Sequence, residues 1–178
     1  MTAPVVPMWR PPFCEALPRH LAGLTLACLL GGAAYPALSL TFEFPGPAQQ
    51  TFTTPATVTS YGLPTGPWAA GSTPVRQIEG RQQQTAWQLQ TPDLSSLEII
   101  SPLRDQLREA GFSIVFECAT ESCGGFDFRF DAAVLPEPDM HVDLGDFRFV
   151  SARREGPDGP EAVSLMVSRS ASAGYVQV

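Results

Sequence analysis

The sequence predicts an α+β fold with one main helix packed on a largely antiparallel sheet, and three observations carry that expectation. A capped, apolar-periodic segment near residues 95–110 lies between two extended stretches, giving a strand–helix–strand unit from Val75 to Cys118. Two β-prone runs, Phe147 to Arg153 and Ala162 to Ser168, flank the turn-rich segment Glu155 to Pro160 and predict a C-terminal hairpin. Cys118 and Cys123 are close enough in the chain to staple the strand end that follows the helix.

The first 39 residues have the order of a cleavable signal peptide. Arg10 and Arg19 precede the apolar run Leu21 to Leu30, then come small residues and the break at Pro36. The run is too short for a permanent span, which takes about 20 apolar residues. Ala37-Leu38-Ser39 offers the best cleavage site, so Leu40 would begin the mature chain, and translation could start at Met1 or Met8. Cys28 after Leu26-Ala27 is the alternative, a lipoprotein site, although apolar residues continue beyond it.

From Leu40 to Phe44 apolar residues alternate and suggest a first strand, stopped by Pro45-Gly46-Pro47. Thr51 to Pro74 is rich in Pro, Gly, Thr and Ser, which excludes a helix or a central strand there. Val75 to Leu89 reads as extended until Thr91-Pro92-Asp93 breaks it. The helix runs from Ser95 or Ser96 to Ala110: Ser95 and Glu98 form a capping box, Leu97, Ile100, Leu103 and Leu107 recur at helical spacing, and Gly111 stops it. Pro102 either kinks this helix or opens it as the first helical residue. Phe112 to Cys118 is a strand, and Phe126-Asp-Phe-Arg-Phe130 reads as a half-buried strand or a short turn of chain. Gly174 to Val178 is an edge strand or the end of one.

Removing residues 1–39 from the 178 leaves 139, enough for one domain with a real core: an N-terminal strand and Pro/Gly-rich loop over 40–74 and a core over 75–178. Of 11 basic and 18 acidic residues, the leader takes Arg10, Arg19 and Glu15, so the remainder holds 9 and 17 and a formal charge of −8. That charge disfavours nucleic acid and anionic lipid as partners. Every basic residue is arginine, which removes all lysine chemistry. With Cys14 and Cys28 in the leader, Cys118 and Cys123 are left for an oxidising compartment, where they are expected to pair. A redox dithiol is the alternative, but its signature has two residues between the sulfurs and this pair has four.

Several segments together resemble a known family. They are Tyr61-Gly-Leu-Pro-Thr-Gly-Pro-Trp68, Ile78-Glu-Gly80 with Thr85-Ala-Trp87, Leu103 to Phe112, Phe116-Glu-Cys118 with Cys123 to Phe130, and Asp139 to Phe149. This pattern is similar to the N-terminal region of alphaproteobacterial OmpA family proteins, an envelope domain with no established catalytic residues. The resemblance spans nearly all of 40–178 and implies a periplasmic, outer-membrane-associated location. In that family a following OmpA-like domain binds peptidoglycan, and its Thr-Asp, Gly, Asn, Leu-Ser, Arg-Ala pattern does not occur here. The chain is thus expected to be either a piece of a longer protein or a short relative without the wall-binding module.

Candidate chemistry is sparse. Asp139, His141 and Asp143 alternate, which on a strand would bring them to one face within reach of a divalent ion, with Asp146 as a further ligand; the plain reading is a half-exposed strand. His141 is the one histidine outside the leader, and no Gly-x-Ser-x-Gly elbow accompanies it. Asp127, Asp131, Glu137 and Asp139 supply carboxylates for a cell-wall hydrolase, against the ordinary reading of a solvated acidic face. Tyr61, Pro64, Pro67 and Trp68 form the candidate partner surface, the alternative being a loop pinned onto the core. These readings favour a non-catalytic envelope accessory domain without a cofactor, whose partners are envelope proteins or cell-wall-associated components, with a peptidoglycan hydrolase as the alternative.

Overall fold

A computed structural model describes residues 40–178. The expected signal peptide, with its cleavage and lipidation alternatives, lies outside the described residues. Among those residues no helix is long and apolar enough to cross a membrane.

The architecture is α+β. A six-stranded antiparallel sheet has the order β1 (Ala48–Thr53), β4 (Thr85–Leu89), β8 (Gly174–Gln177), β7 (Gly159–Arg169), β6 (Phe147–Gly156), β5 (Ser113–Ala119). A separate two-stranded ribbon joins β2 (Thr57–Pro64) to β3 (Val75–Gln82). The expected hairpin is present as β6 and β7, in register from Phe147↔Ser168 to Gly156↔Gly159.

Period-two alternation in these two strands feeds two cores. Val150, Ala152, Leu165 and Val167 pack against Ile99, Ile100, Leu103 and Leu107 of the main helix, α1 (Ser96–Glu109). On the opposite face Phe147, Phe149 and Met166 pack with Phe128, Met140 and Cys123. Both faces of the hairpin are covered where these residues lie.

The sequence signals at the ends of α1 act as expected. Ser95 N–H donates to Glu98 Oε2 (2.9 Å) and Glu98 N–H donates to Ser95 Oγ (3.2 Å), closing the capping box. The bonds from Ser95 hold the Glu98 carboxyl below its ordinary pKa. At the other end Gly111 takes φ +84°, Gly111 N–H donates to Arg108 O and Phe112 N–H to Leu107 O, a Schellman stop. The helix begins at Ser96 and runs through Pro102, so proline does not open it; the ring leaves the Glu98 carbonyl without its i+4 donor.

Four sequence expectations need correction. Leu40 to Phe44 pairs with no strand of the described residues: Gln106 of α1 presents its side-chain amide like a peptide, Oε1 accepting from Glu43 N–H and Nε2 donating to Glu43 O, both at 2.8 Å. Val75 to Leu89 divides into β3 and β4, which belong to different sheets. Phe126 to Phe130 belongs to a short helix, α2 (Gly125–Asp131), entered from Gly124 at φ +112°. The last strand, β8, is interior to the sheet, between β4 and β7. The Pro/Gly-rich stretch contains β2, which the two-stranded ribbon accommodates without making it central.

The capping geometry sets an expected outcome. Ser95→Ala should lower the unfolding free energy by about 1 kcal/mol in denaturant titration, and no change would show that the cap is dispensable.

Candidate functional site

The sequence-predicted residues divide sharply. Cys118 and Cys123 form the expected disulfide, which ties the end of β5 to the 3-10 turn Thr120–Cys123. The candidate partner surface does not form: Pro64 is buried, Tyr61 and Trp68 are half-buried, and Pro67 alone of the four is exposed. Trp68 packs on the second core and donates its backbone N–H to Cys123 O (2.8 Å). A Cβ placed on Gly124 would come within 2.7 Å of Trp68 Cβ. These contacts pin the loop to the disulfide turn.

The proposed metal set does not share a strand face, because Asp139 to Asp143 is not a strand. His141 Nδ1 bonds to Glu137 Oε1 (2.7 Å) and its ring lies against Tyr175. Asp143 Oδ1 accepts from Gly145 N–H (2.8 Å), and Asp146 Oδ1 accepts from Ser96 Oγ. The latter two carboxylates close a loop and anchor it to the start of α1. Among the described residues no group of three or more His, Cys, Asp or Glu is placed to hold a metal ion.

The site that sequence reasoning missed is a cleft of about 660 Å³ between the β2–β3 ribbon and the main sheet. Its origin is an interrupted strand position. β7 spans 11 residues, whereas β8 spans 4 and pairs with β7 from Arg169↔Gly174 to Met166↔Gln177. From Leu165 back to Gly159 no strand of the described residues lies on the β8 side of β7. Burial follows the same boundary: Leu165 to Ser168 are buried, while Glu161 to Ser164 are half-exposed.

The direction of the free main-chain groups follows from the register. Val178 and Thr85 exchange both backbone bonds, Thr85 N–H to Val178 O at 2.9 Å and Val178 N–H to Thr85 O at 2.8 Å, so Val178 faces β4. By alternation Gln177 faces β7, and its partner Met166 faces β8. Two and four residues on, Ser164 and Ala162 turn their N–H and C=O to the same side, into the cleft. Pro160 follows in the same phase and brings no donor, a position a strand edge tolerates.

The walls are apolar on both faces of that vacant position. Tyr61 and Ile78 of the ribbon cover one side, and Leu40, Phe112 and Val163 line the other. Tyr61 Oη is bonded to Ser164 Oγ (2.8 Å), and burial raises the phenol pKa against the lowering effect of that bond. Buried Ser151 Oγ donates to Pro64 O (2.6 Å), fixing the base of the ribbon to β6. Gln82, Gln83 and Gln84 form a neutral polar rim where the chain passes from ribbon to sheet. Arg154 is ion-paired to Glu161 (2.6 Å) and lies over the Phe112 ring at 4.5 Å.

None of Asp127, Asp131, Glu137 and Asp139 lines this cleft. Asp131 Oδ2 instead accepts from Thr73 N–H (2.6 Å). A second feature outside the sequence reading is an aromatic pair: on α2 Phe128 points inward, while Phe126 and Phe130 meet on the outer face at 4.5 Å, 59% and 65% exposed. No family model matches the chain, and no curated protein matches it significantly.

The placement of Trp68 gives a direct check. Trp68→Ala should cost about 3 kcal/mol of stability by denaturant unfolding, the scale for truncating a packed large aromatic. A loss below about 0.5 kcal/mol, the scale of ordinary surface substitutions, would return this ring to the surface.

Proposed function

We propose that this chain is a non-catalytic accessory domain of the cell envelope, exported by residues 1–39 and related to the N-terminal region of OmpA family proteins. Its activity on this reading is to hold another envelope component. The observation that carries the reading is the edge of β7 inside the cleft that no strand of the described residues covers, with Ala162 and Ser164 facing that position. Main-chain donors and acceptors, neutral amides and apolar walls bind and orient a ligand; general acid–base chemistry instead requires positioned titratable groups. The Cys118–Cys123 disulfide supports an oxidising compartment, and the acidic composition supports a partner other than nucleic acid.

The competing hydrolase reading makes a different chemical demand, a pair of carboxylates flanking one bond. The side-chain carboxylates that line the cleft are Glu79, Asp158 and Glu161, and Glu161 is engaged by Arg154. Incubating the purified protein with peptidoglycan should release no soluble fragments. Release that is abolished by a folded Asp or Glu variant would overturn the accessory-domain reading.

A further inference from the structure

The geometry points to a specific occupant of the cleft: an extended, non-acidic peptide segment of a partner, added as a strand against Ala162–Ser164 of β7. This inference rests on the reading of the chain as an interaction domain and names what that domain would hold.

The vacant position follows from the unequal lengths of β7 and β8. On one side lies β7 from Gly159 to Ser164, and the position continues the line of β8 beyond its last pair, Met166↔Gln177, and the Val178 that follows it. Val178 takes the place opposite Leu165, which leaves the six residues Gly159 to Ser164, about 20 Å of strand, and an insert of five or six residues fills that edge. Among the described residues the N–H and C=O groups of Ala162 and Ser164 have no backbone partner, and they supply the bonds of strand addition, the recognition mode in which backbone pairing gives affinity and flanking pockets give specificity. Successive side chains of an inserted strand would point alternately to Tyr61 and Ile78 and to Leu40, Phe112 and Val163. Both contacts favour small or medium apolar side chains over charged ones.

Charge and access narrow the occupant further. The cleft carries Glu79, Asp158 and Glu161 against Arg81, and the whole chain has a formal charge of −7, so an acidic segment is repelled. The free edge is recessed beneath the ribbon, whereas the outer strands β1 and β5 are the rims of the sheet. Edge-to-edge pairing of two copies would use those rims; a single extended segment is what the recess admits. The occupant is therefore a separate, neutral or basic strand-forming segment of another polypeptide.

The probe is an acetylated and amidated hexapeptide of alternating Thr and Val, titrated into the purified full-length protein, with a second peptide carrying Glu in place of Thr. The Thr/Val peptide should bind and slow amide exchange at Ala162 and Ser164, and the Glu peptide should bind more weakly. Ala162→Pro removes a donor that faces the cleft and leaves the β6 ladder untouched, as Pro160 already does in the same phase. It should weaken binding by about tenfold or more, the factor expected for losing one hydrogen bond and obstructing its neighbour.

The exchange measurement on the unmodified protein keeps the test independent of that variant's folding. Absence of binding, equal affinity for folded Ala162→Pro, protection at β1 or β5 instead of β7, or peptide-independent dimerisation that protects Ala162 and Ser164 would each overturn strand addition. Those results leave the accessory-domain reading standing, since that reading fails on peptidoglycan cleavage.

Discussion

The β6–β7 ladder is the constraint on which the rest of this structure depends. Its register, from Phe147↔Ser168 to Gly156↔Gly159, decides which side chains reach each of the two cores. Slipping β7 by one residue against β6 would turn Leu165 and Val167 away from α1 and send Met166 toward it. The second face is then closed by pieces with little regular structure of their own: the disulfide turn, α2, and the loop of Trp68. Each is fixed by a local device, namely the Cys118–Cys123 bond, the left-handed Gly124, and the Trp68 N–H to Cys123 O bond.

The cleft is a consequence of unequal strand lengths within this frame. β6 and β7 extend together to their turn, but β8 and β4 cover only part of that length before the chain passes through Gln82–Gln84 into the ribbon. The ribbon is anchored at its base through Ser151 Oγ to Pro64 O and through Tyr61 to Ser164, while Thr57 to Ser60 are exposed. Buried anchoring at one end and exposure at the other hold the ribbon over the free edge of β7. An unpaired main-chain edge inside a fold costs free energy unless water or a ligand satisfies it, which is why such an edge marks a binding position.

How much was legible in the sequence depended on whether a signal was local. The capping box at Ser95 and Glu98, the stop at Gly111, the hairpin and the cysteine pair are local, and all four are present. Phe126-Asp-Phe-Arg-Phe130 misled because residues i and i+4 of a short helix also leave the middle phenylalanine inward, so apolar residues at every second position fit both structures. Leu40 to Phe44 misled because its partner, Gln106, is 63 residues away from Glu43. The interior position of β8 and the interrupted edge of β7 are properties of long-range pairing, and no residue within either strand announces them. Ser164 and Ala162 read as ordinary strand residues until the length of β8 is known.

The most direct measurement is residue-resolved hydrogen exchange in the free protein along β7. If the position beside Ala162–Ser164 is open, the Val163 and Leu165 amides, bonded to β6, should exchange roughly a hundredfold or more slowly than those of Ala162 and Ser164. Equal protection at all four amides would mean that the edge is already paired, and would contradict the account.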